Sequence, residues 1–553
     1  MDKLWEITMG DLLDYQAERY PDQDCVLYND RPFRLTYKGF RDLVNLTAKG
    51  FLRLGVKKGD HVAIWGANVP QWLLTMWATA KIGAVMVTVN TAYKVFEAEY
   101  LLRQSDTHTL VMTEGFKDSD YVGIVNELAP ELAGSRPGEW VSEGLPRLRN
   151  VICCGGPHDG MLPWDALYEL GAEVSDAELA AAQKATDIHD VVNMQYTSGT
   201  TGFPKGVMLS HHNILNNGNS IGDCMKFSPA DRLCITVPLF HCFGMVLAVM
   251  ASVTHAVAMV MVETFSPAVV LKALHEEKCT AVHGVPTMFI AMMDHPDFAG
   301  VDFSHMRTGI MAGSPCPVKV MRQVVEEMNM REITIVYGLT ESSPGCTQTR
   351  TDDSLDLRVA TVGRNLPFVE TRIVDPETGE ICPPGVPGEF MARGYNIMKG
   401  YYNMPEATSQ AITPDGWLHS GDIATVDEQG YYKITGRIKD MIIRGGENIY
   451  PKEIEECLYT HPAVQDVQVI GVPSEAYGEE VMAYVILKAG EAADQETLRT
   501  FLRERIARHK VPKYIGFIGE FPMTASGKIQ KFKLRDMAVA ELSLQDAANI
   551  ETA

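Results

Sequence analysis

The sequence predicts an α/β protein. A large N-terminal domain of helix-covered, mainly parallel sheets with a small antiparallel, barrel-like part precedes a small α+β C-terminal domain. Three observations predict this. A chain of 553 residues is too long for one ordinary core, so at least two domains are expected. Up to about residue 190, short apolar runs alternate with helical periodicity, the pattern of parallel strands buried beneath helices. From Thr361 to Gly436, turn residues separate short alternating segments, which reads as antiparallel hairpins.

Taken in order, Asp11 to Arg19 has helical periodicity, and Tyr20-Pro21 stops it. His61 to Trp65 reads as a buried strand, Pro70 to Ile82 as a helix and Ala84 to Asn90 as another buried strand. Ala129 to Leu148 is rich in Pro, Gly and Ser and reads as a surface loop, and the Ala-rich Glu178 to Ala185 as an exposed helix. The apolar run Met245 to Val262 is interrupted by Ser252, Thr254 and His255 and lacks a basic flank. A buried helix followed by a buried strand from Ala256 suits it better than a membrane span. Beyond Gly436, strands are expected near Val467 to Val472 and Val481 to Leu487. A helix should follow from about Glu496, with Leu498, Phe501, Leu502 and Ile506 on one face.

The formal charge of −22 argues against nucleic acid and anionic lipid as partners. Anionic small molecules must meet local donors that override that field. The 11 cysteines are odd in number and lack C-x-x-C spacing, which suits free thiols in a reducing compartment. The N-terminus lacks the marks of a secretory or transit segment, so a cytoplasmic location is expected. No Gly-x-Gly occurs, so the dinucleotide fingerprint is absent, and neither does His-Glu-x-x-His.

The most informative segment runs from Tyr196 to Gly206: Thr197, Ser198, Gly199, Thr200, Thr201, Gly202, then Phe203-Pro204-Lys205-Gly206. It follows an expected strand, Val191 to Gln195. Small hydroxyl residues and glycines let backbone N–H groups approach a polyphosphate, and Lys205 supplies charge. It is not a Walker A loop, because Pro204 precedes the lysine and Gly206 follows it.

This segment resembles the phosphate loop of the adenylate-forming superfamily, which includes acyl-CoA synthetases, peptide-synthetase adenylation domains and luciferase. Further stretches match in the family's order: Pro238 to His241, Ala312 to Pro315, Tyr337 to Glu341, Ser420 to Asp422, Gly436 to Asp440 and Thr524 to Lys528. The resemblance covers essentially the whole chain. It implies an N-terminal adenylation domain over 1–436, a hinge over 437–440 centred on Lys439, and a mobile C-terminal domain over 441–553 that carries a catalytic lysine.

Roles follow residue by residue. Tyr337 and Gly338 would line the adenine site, Tyr337 by stacking. Thr340 would donate to the α-phosphate. Glu341 is a hard oxygen ligand suited to Mg²⁺ bridging phosphates. Asp422 would accept from the ribose hydroxyls, and Arg437 would pair with ribose or phosphate oxygens. Gly313 and Ser314, the latter where relatives often carry Ala, would line the adenine and acyl sites. His241 would sit beside the acyl pocket, shaping it rather than acting as a base. Lys528 would contact both the attacking carboxylate and the α-phosphate, which lowers the barrier to joining two anions. The pair Gly445 and Gly446 would let backbone approach pantetheine, and Arg444 a CoA phosphate.

The implied substrates are ATP, coenzyme A and a carboxylic acid, with Mg²⁺ as cofactor. The front half looks most like medium-chain acyl-CoA synthetases. Phe240, Phe243, Gly244 and Met245 suggest an apolar pocket. A medium- or short-chain fatty acid is expected, with an aryl or cyclic acid as the alternative. Transfer to a carrier protein and a non-catalytic nucleotide-binding role are further alternatives.

Overall fold

The computed structural model describes residues 3–197, 204–313, 316–444, 447–474, 477–506, 508–524 and 528–545. Two large sheets dominate the first four hundred residues. In the nine-stranded sheet, six neighbouring strands run parallel, from Glu332–Gly338 through Thr308–Met311, Ala281–Gly284, Arg232–Ile235 and Ala258–Met261 to Asp24–Tyr28. In the eight-stranded sheet, Val191–Thr197 lies parallel to Val85–Thr88, which leads on to His61–Trp65, Thr109–Met112 and Asn150–Cys153. These strands are buried on both faces, which is why they read as continuous apolar runs.

The helix Pro70–Lys81 packs on the eight-stranded sheet and against neighbouring helices, with Trp72 and Trp77 fully buried. Burying one such side chain contributes roughly 2–3 kcal/mol. The run from Met245 is helical, but Phe243–Met250 winds as a π-helix before one α-turn, Ala251–Thr254. The strand that follows is Ala258–Met261. The Pro- and Gly-rich stretch after Ala129 is indeed largely irregular, yet Trp140, Leu145 and Leu148 are buried, so it seals a core edge rather than floating on the surface.

The expected hairpins form a four-stranded antiparallel sheet of Val369–Val374, Gly388–Gly394, Leu418–Val426 and Tyr432–Arg437. Its turns are held as the residue types require: the Asp375 carboxylate accepts from the N–H groups of Glu377 and Thr378, and that of Asp427 from Gln429 and Tyr431. A 3₁₀ turn, Ile438–Asp440, then leads to a separate five-stranded sheet that includes Ile442–Arg444, Val464–Ser474, Gly478–Leu487 and Tyr514–Phe517. This C-terminal α+β unit has its own core, in which Ile454, Leu458, Val467, Val485, Leu498 and Leu502 are buried. The helix over Gln495–Arg503 ends before Ile506, which packs against that core from the following turn.

Candidate active site

The site gathers where strands of both large sheets end, as open α/β sheets favour. Strand Val191–Thr197 runs out to the phosphate-loop segment and Lys205–Ser210 runs back antiparallel, with Thr197 and Lys205 as cross-strand partners. The segment between them thus joins two antiparallel neighbours, whereas a Walker loop joins a strand to a helix. Ser198, Gly199, Thr200, Thr201 and Gly202 lie outside the described residues, as do Ser314 and the pair Gly445 and Gly446.

Strand Glu332–Gly338 delivers Tyr337, and the 3₁₀ turn Thr340–Ser342 delivers Thr340 and Glu341. That turn is held from several sides. The Ser342 hydroxyl donates to the carbonyl of Pro344, the Ser343 hydroxyl to that of Asn396, and the Asn396 amide to those of Ser342 and Gly345. Gly338 is required here, because a Cβ would sit 1.7 Å from the Pro344 carbonyl oxygen.

Asp422 and Arg437 face each other as register partners in the antiparallel sheet. Arg437 Nε lies 3.0 Å from Asp422 Oδ1, and the Tyr337 hydroxyl donates to Asp422 Oδ2 at 2.7 Å. The Tyr337 ring meets Phe390 edge-on at 5.0 Å. Asp422 is 5% exposed. Its burial raises the carboxyl pKa, against the opposing pull of Arg437 and Tyr337. The Ser420 hydroxyl accepts from the Asp422 N–H at 3.0 Å, so serine supplies the acceptor needed before Gly-Asp.

Glu341 Oε1 accepts from the Tyr401 hydroxyl at 2.8 Å. Thr340 Oγ1 lies 3.6 Å from the Cys242 sulfur. His241 Nδ1 accepts from the Phe243 N–H at 3.1 Å, which leaves the proton of the neutral ring on Nε2. Desolvation, and then the charge of Lys528, drive the His241 pKa down to about 3, and a neutral imidazole fits a packing or shaping role. A Cβ on Gly313 would face Val285 and Phe243, so the glycine borders the apolar wall that Phe243 and Met245 help to form.

Lys528 is carried at the base of a tight loop. Thr524 N–H donates to the Lys528 carbonyl at 2.7 Å, the Lys528 N–H donates to Thr524 Oγ1 at 3.0 Å, and Met523 bridges Ile529. The Lys528 ammonium is desolvated, which lowers its pKa, and it lies within the electrostatic reach of Cys242, Arg437, Glu341 and Asp422. The structure therefore brings Lys528 together with His241, Glu341, Asp422 and Arg437, although nearly two hundred residues separate Lys528 from Glu341 (528 − 341 = 187). Arg444 is elsewhere: it pairs with the buried Glu480 and covers the Tyr477 ring at 4.3 Å.

Among the described residues no three His, Cys, Asp or Glu side chains gather as a ready-made metal site. A hard cation here would take one carboxylate, Glu341, with polyphosphate oxygens as its other ligands. That arrangement suits Mg²⁺, which favours few protein ligands. Tyr401 belongs to none of the motifs named from sequence, because its partner Glu341 lies sixty residues away (401 − 341 = 60). The sequence also contains one match to Gly-x-Ser-x-Gly, Gly218 to Gly222. That match lies inside the helix His211–Cys224, with Ser220 Oγ 3.0 Å from the Tyr395 hydroxyl, and so is not the strand-to-helix elbow that exposes a serine nucleophile.

A body of parallel sheets, a threonine- and glycine-rich hairpin and a C-terminal lysine turned toward a buried Asp–Arg pair define a class of nucleotide-handling ligases. Residues 13–402 match the family of AMP-binding enzymes and residues 453–528 match the C-terminal domain of AMP-binding enzymes. The chain is 52% identical over 548 residues to the Bacillus subtilis (strain 168) protein YngI, covering 99% of this chain and 100% of that one. It is 41% identical over 543 residues to the mitochondrial medium-chain acyl-CoA ligase ACSF2 of Mus musculus, covering 97% and 88%. The crystal structure of the anthranilate CoA ligase AuaEII in complex with anthranoyl-AMP superimposes with a TM-score of 0.86 at 25% identity, covering 98% and 99%. The chain belongs to the AMP-binding enzyme family, among its acyl-CoA synthetases. No helix among the described residues is long and apolar enough to cross a membrane.

Proposed function

We propose that this chain is an AMP-forming fatty acid:CoA ligase that prefers medium- or short-chain acids. In the first step a carboxylate oxygen attacks the α-phosphorus of ATP, and the bond to pyrophosphate breaks. In the second, the sulfur of CoA attacks the acyl carbon, AMP leaves, and the thiol proton passes to solvent. The observation that carries the reading is the convergence of Lys528 with Glu341, Asp422 and Arg437. A desolvated ammonium there can touch both reacting anions and stabilise the charge that builds on the α-phosphate. Thr340 donates to that phosphate, Asp422 accepts from ribose hydroxyls, Tyr337 stacks on adenine, and the threonine-rich hairpin with Lys205 holds the leaving pyrophosphate. Glu341 would hold Mg²⁺, which would supply positive charge to offset that of the polyphosphate. Gly445 and Gly446 admit the pantetheine arm, and turnover proceeds in the cytoplasm, a compartment suited to eleven cysteines that form no disulfide.

The buried Phe243 and Met245, with Gly313 beside Phe243, support an apolar, monocarboxylic acyl group, as does the likeness to a medium-chain ligase. An aryl acid is the second reading, favoured by the likeness to an anthranilate ligase. A CoA-ligation screen across acids of graded chain length and ring content decides between them. The highest kcat/KM is expected for straight chains of about six to ten carbons, the length an apolar pocket of ligand size accommodates. A maximum on benzoate-type acids would reverse the order of the two readings, and transfer to carrier protein but not to free CoA would overturn both.

A further inference from the structure

One buried side chain outside the expected set touches two members of it. Tyr401 is 8% exposed. Its hydroxyl donates to Glu341 Oε1 at 2.8 Å, and the Lys205 ammonium lies 5.0 Å from the centre of its ring. Lys205 opens the strand Lys205–Ser210 of one large sheet and Glu341 sits in the turn after the strand Glu332–Gly338 of the other, so Tyr401 spans the gap between them.

Its backbone is fixed on every side. Strand Gly400–Tyr401 pairs with Lys205–Ser210, with Tyr401 opposite Val207. Lys399 N–H donates to the Met208 carbonyl and Tyr402 N–H to that of Gly206. The Tyr401 N–H donates to Thr408 Oγ1 at 2.9 Å, and that hydroxyl donates onward to the Met404 carbonyl. Gly400 has φ +135, and a Cβ there would lie 2.9 Å from the Thr408 methyl, so only glycine lets the strand seat against that threonine. The same segment holds the Glu341 backbone, because Met398 N–H donates to the Glu341 carbonyl at 2.9 Å. Such bracing is more than a packing tyrosine needs. It aims a phenol at one carboxylate oxygen and an aromatic face at one ammonium.

We infer that Tyr401 is a positioning residue for the metal–nucleotide complex: its hydroxyl sets the rotamer of Glu341 for a divalent cation, and its ring seats Lys205 against the terminal phosphates. This rests on the ligase reading above. A carboxylate held in one rotamer loses less conformational freedom when it takes up a cation. A lysine over an aromatic face keeps its charge while its stem is ordered.

The test uses the full-length protein with Mn²⁺ and a β,γ-methylene analogue of ATP, with bound Mn²⁺ read by electron paramagnetic resonance. Tyr401→Phe keeps the ring and removes the donor. Its Mn²⁺ dissociation constant in the ternary complex should rise about five-fold, the scale of one net hydrogen bond, while binding of metal-free analogue stays within about two-fold of wild type. Tyr401→Leu, which also removes the ring, should in addition weaken metal-free binding about five-fold. Wild-type Mn²⁺ affinity in Tyr401→Phe would overturn the inference and leave the ligase reading intact. A wild-type protein that binds no analogue, with or without Mn²⁺, would overturn both.

Discussion

Lys528 carries the residue-scale argument. Desolvation strengthens its field at the α-phosphate, because charge acts further in a dry site than in water. The same desolvation lowers its pKa from 10.5. Only the protonated form can stabilise the transition state, so the first half-reaction should be lost as pH rises through that lowered value. In kcat/KM, which reports the free enzyme, the alkaline limb should therefore lie below 10.5. In Lys528→Arg the residual activity should show no such limb up to about pH 10, since guanidinium stays charged. A limb unchanged in Lys528→Arg would assign the titration elsewhere. His241, held neutral down to about pH 3, should add nothing to the profile.

Among the elements, the turn between the last hairpin sheet and the C-terminal sheet matters most. Strand Tyr432–Arg437 ends on the Asp422 partner, and Ile442–Arg444 already belongs to the other core. The connection is the 3₁₀ turn at 438–440, closed by Met441 N–H donating to the Arg437 carbonyl. Contacts across the junction include polar ones: Lys452 Nζ donates to the Ile434 carbonyl at 3.0 Å, and burial with the nearby Lys488 lowers the Lys319 pKa. A face carrying desolvated cations separates more easily than an apolar one. Proline fixes φ and restricts the residue before it. Lys439→Pro should therefore spare adenylate formation to within about three-fold and slow thioester formation by more than about a hundred-fold. Single-turnover assays of each half-reaction check this, and an unchanged overall rate would exclude a hinge at Lys439.

Element by element, the sequence was readable where local chemistry decides. His61–Trp65 has the bounds that its five apolar-run residues suggest, and Pro70–Lys81 starts at its N-terminal proline. The π-winding of Phe243–Met250 was not readable, because period alone cannot separate it from an α-helix within so short an apolar run. Of the site, Glu341, Asp422, Arg437 and Lys528 could be named from their motifs, and the structure brings them together. Tyr401 could not, because its role arises from strand pairing between residues two hundred apart in sequence. The buried Trp140 was hidden by loop-like composition around it.

For the whole molecule, net charge and site charge point in opposite directions. A net charge of −22 should repel anionic substrates, yet Arg437 and Lys528 lie beside Glu341 and Asp422, and Lys205 sits over the ring of Tyr401, which bonds Glu341, so positive charge is concentrated locally against the global field. One of those cations sits on the separate C-terminal unit. In the present arrangement Lys528 is desolvated within reach of Glu341, Asp422 and Arg437, and Arg444 pairs with Glu480; under the proposed function this is the placement that serves the first reaction. Thioester formation needs the opposite: a way in for sulfur and no ammonium in its path. A division of labour between two placements of the C-terminal unit is the central claim. It is tested most directly by measuring both half-reactions in Lys528→Ala: acid-dependent pyrophosphate release, and acylation of CoA from supplied acyl-adenylate. Pyrophosphate release should fall by at least about a thousand-fold, the scale of losing one electrostatic stabiliser, while acylation of CoA stays within about three-fold of wild type. Equal loss of both half-reactions would contradict the account.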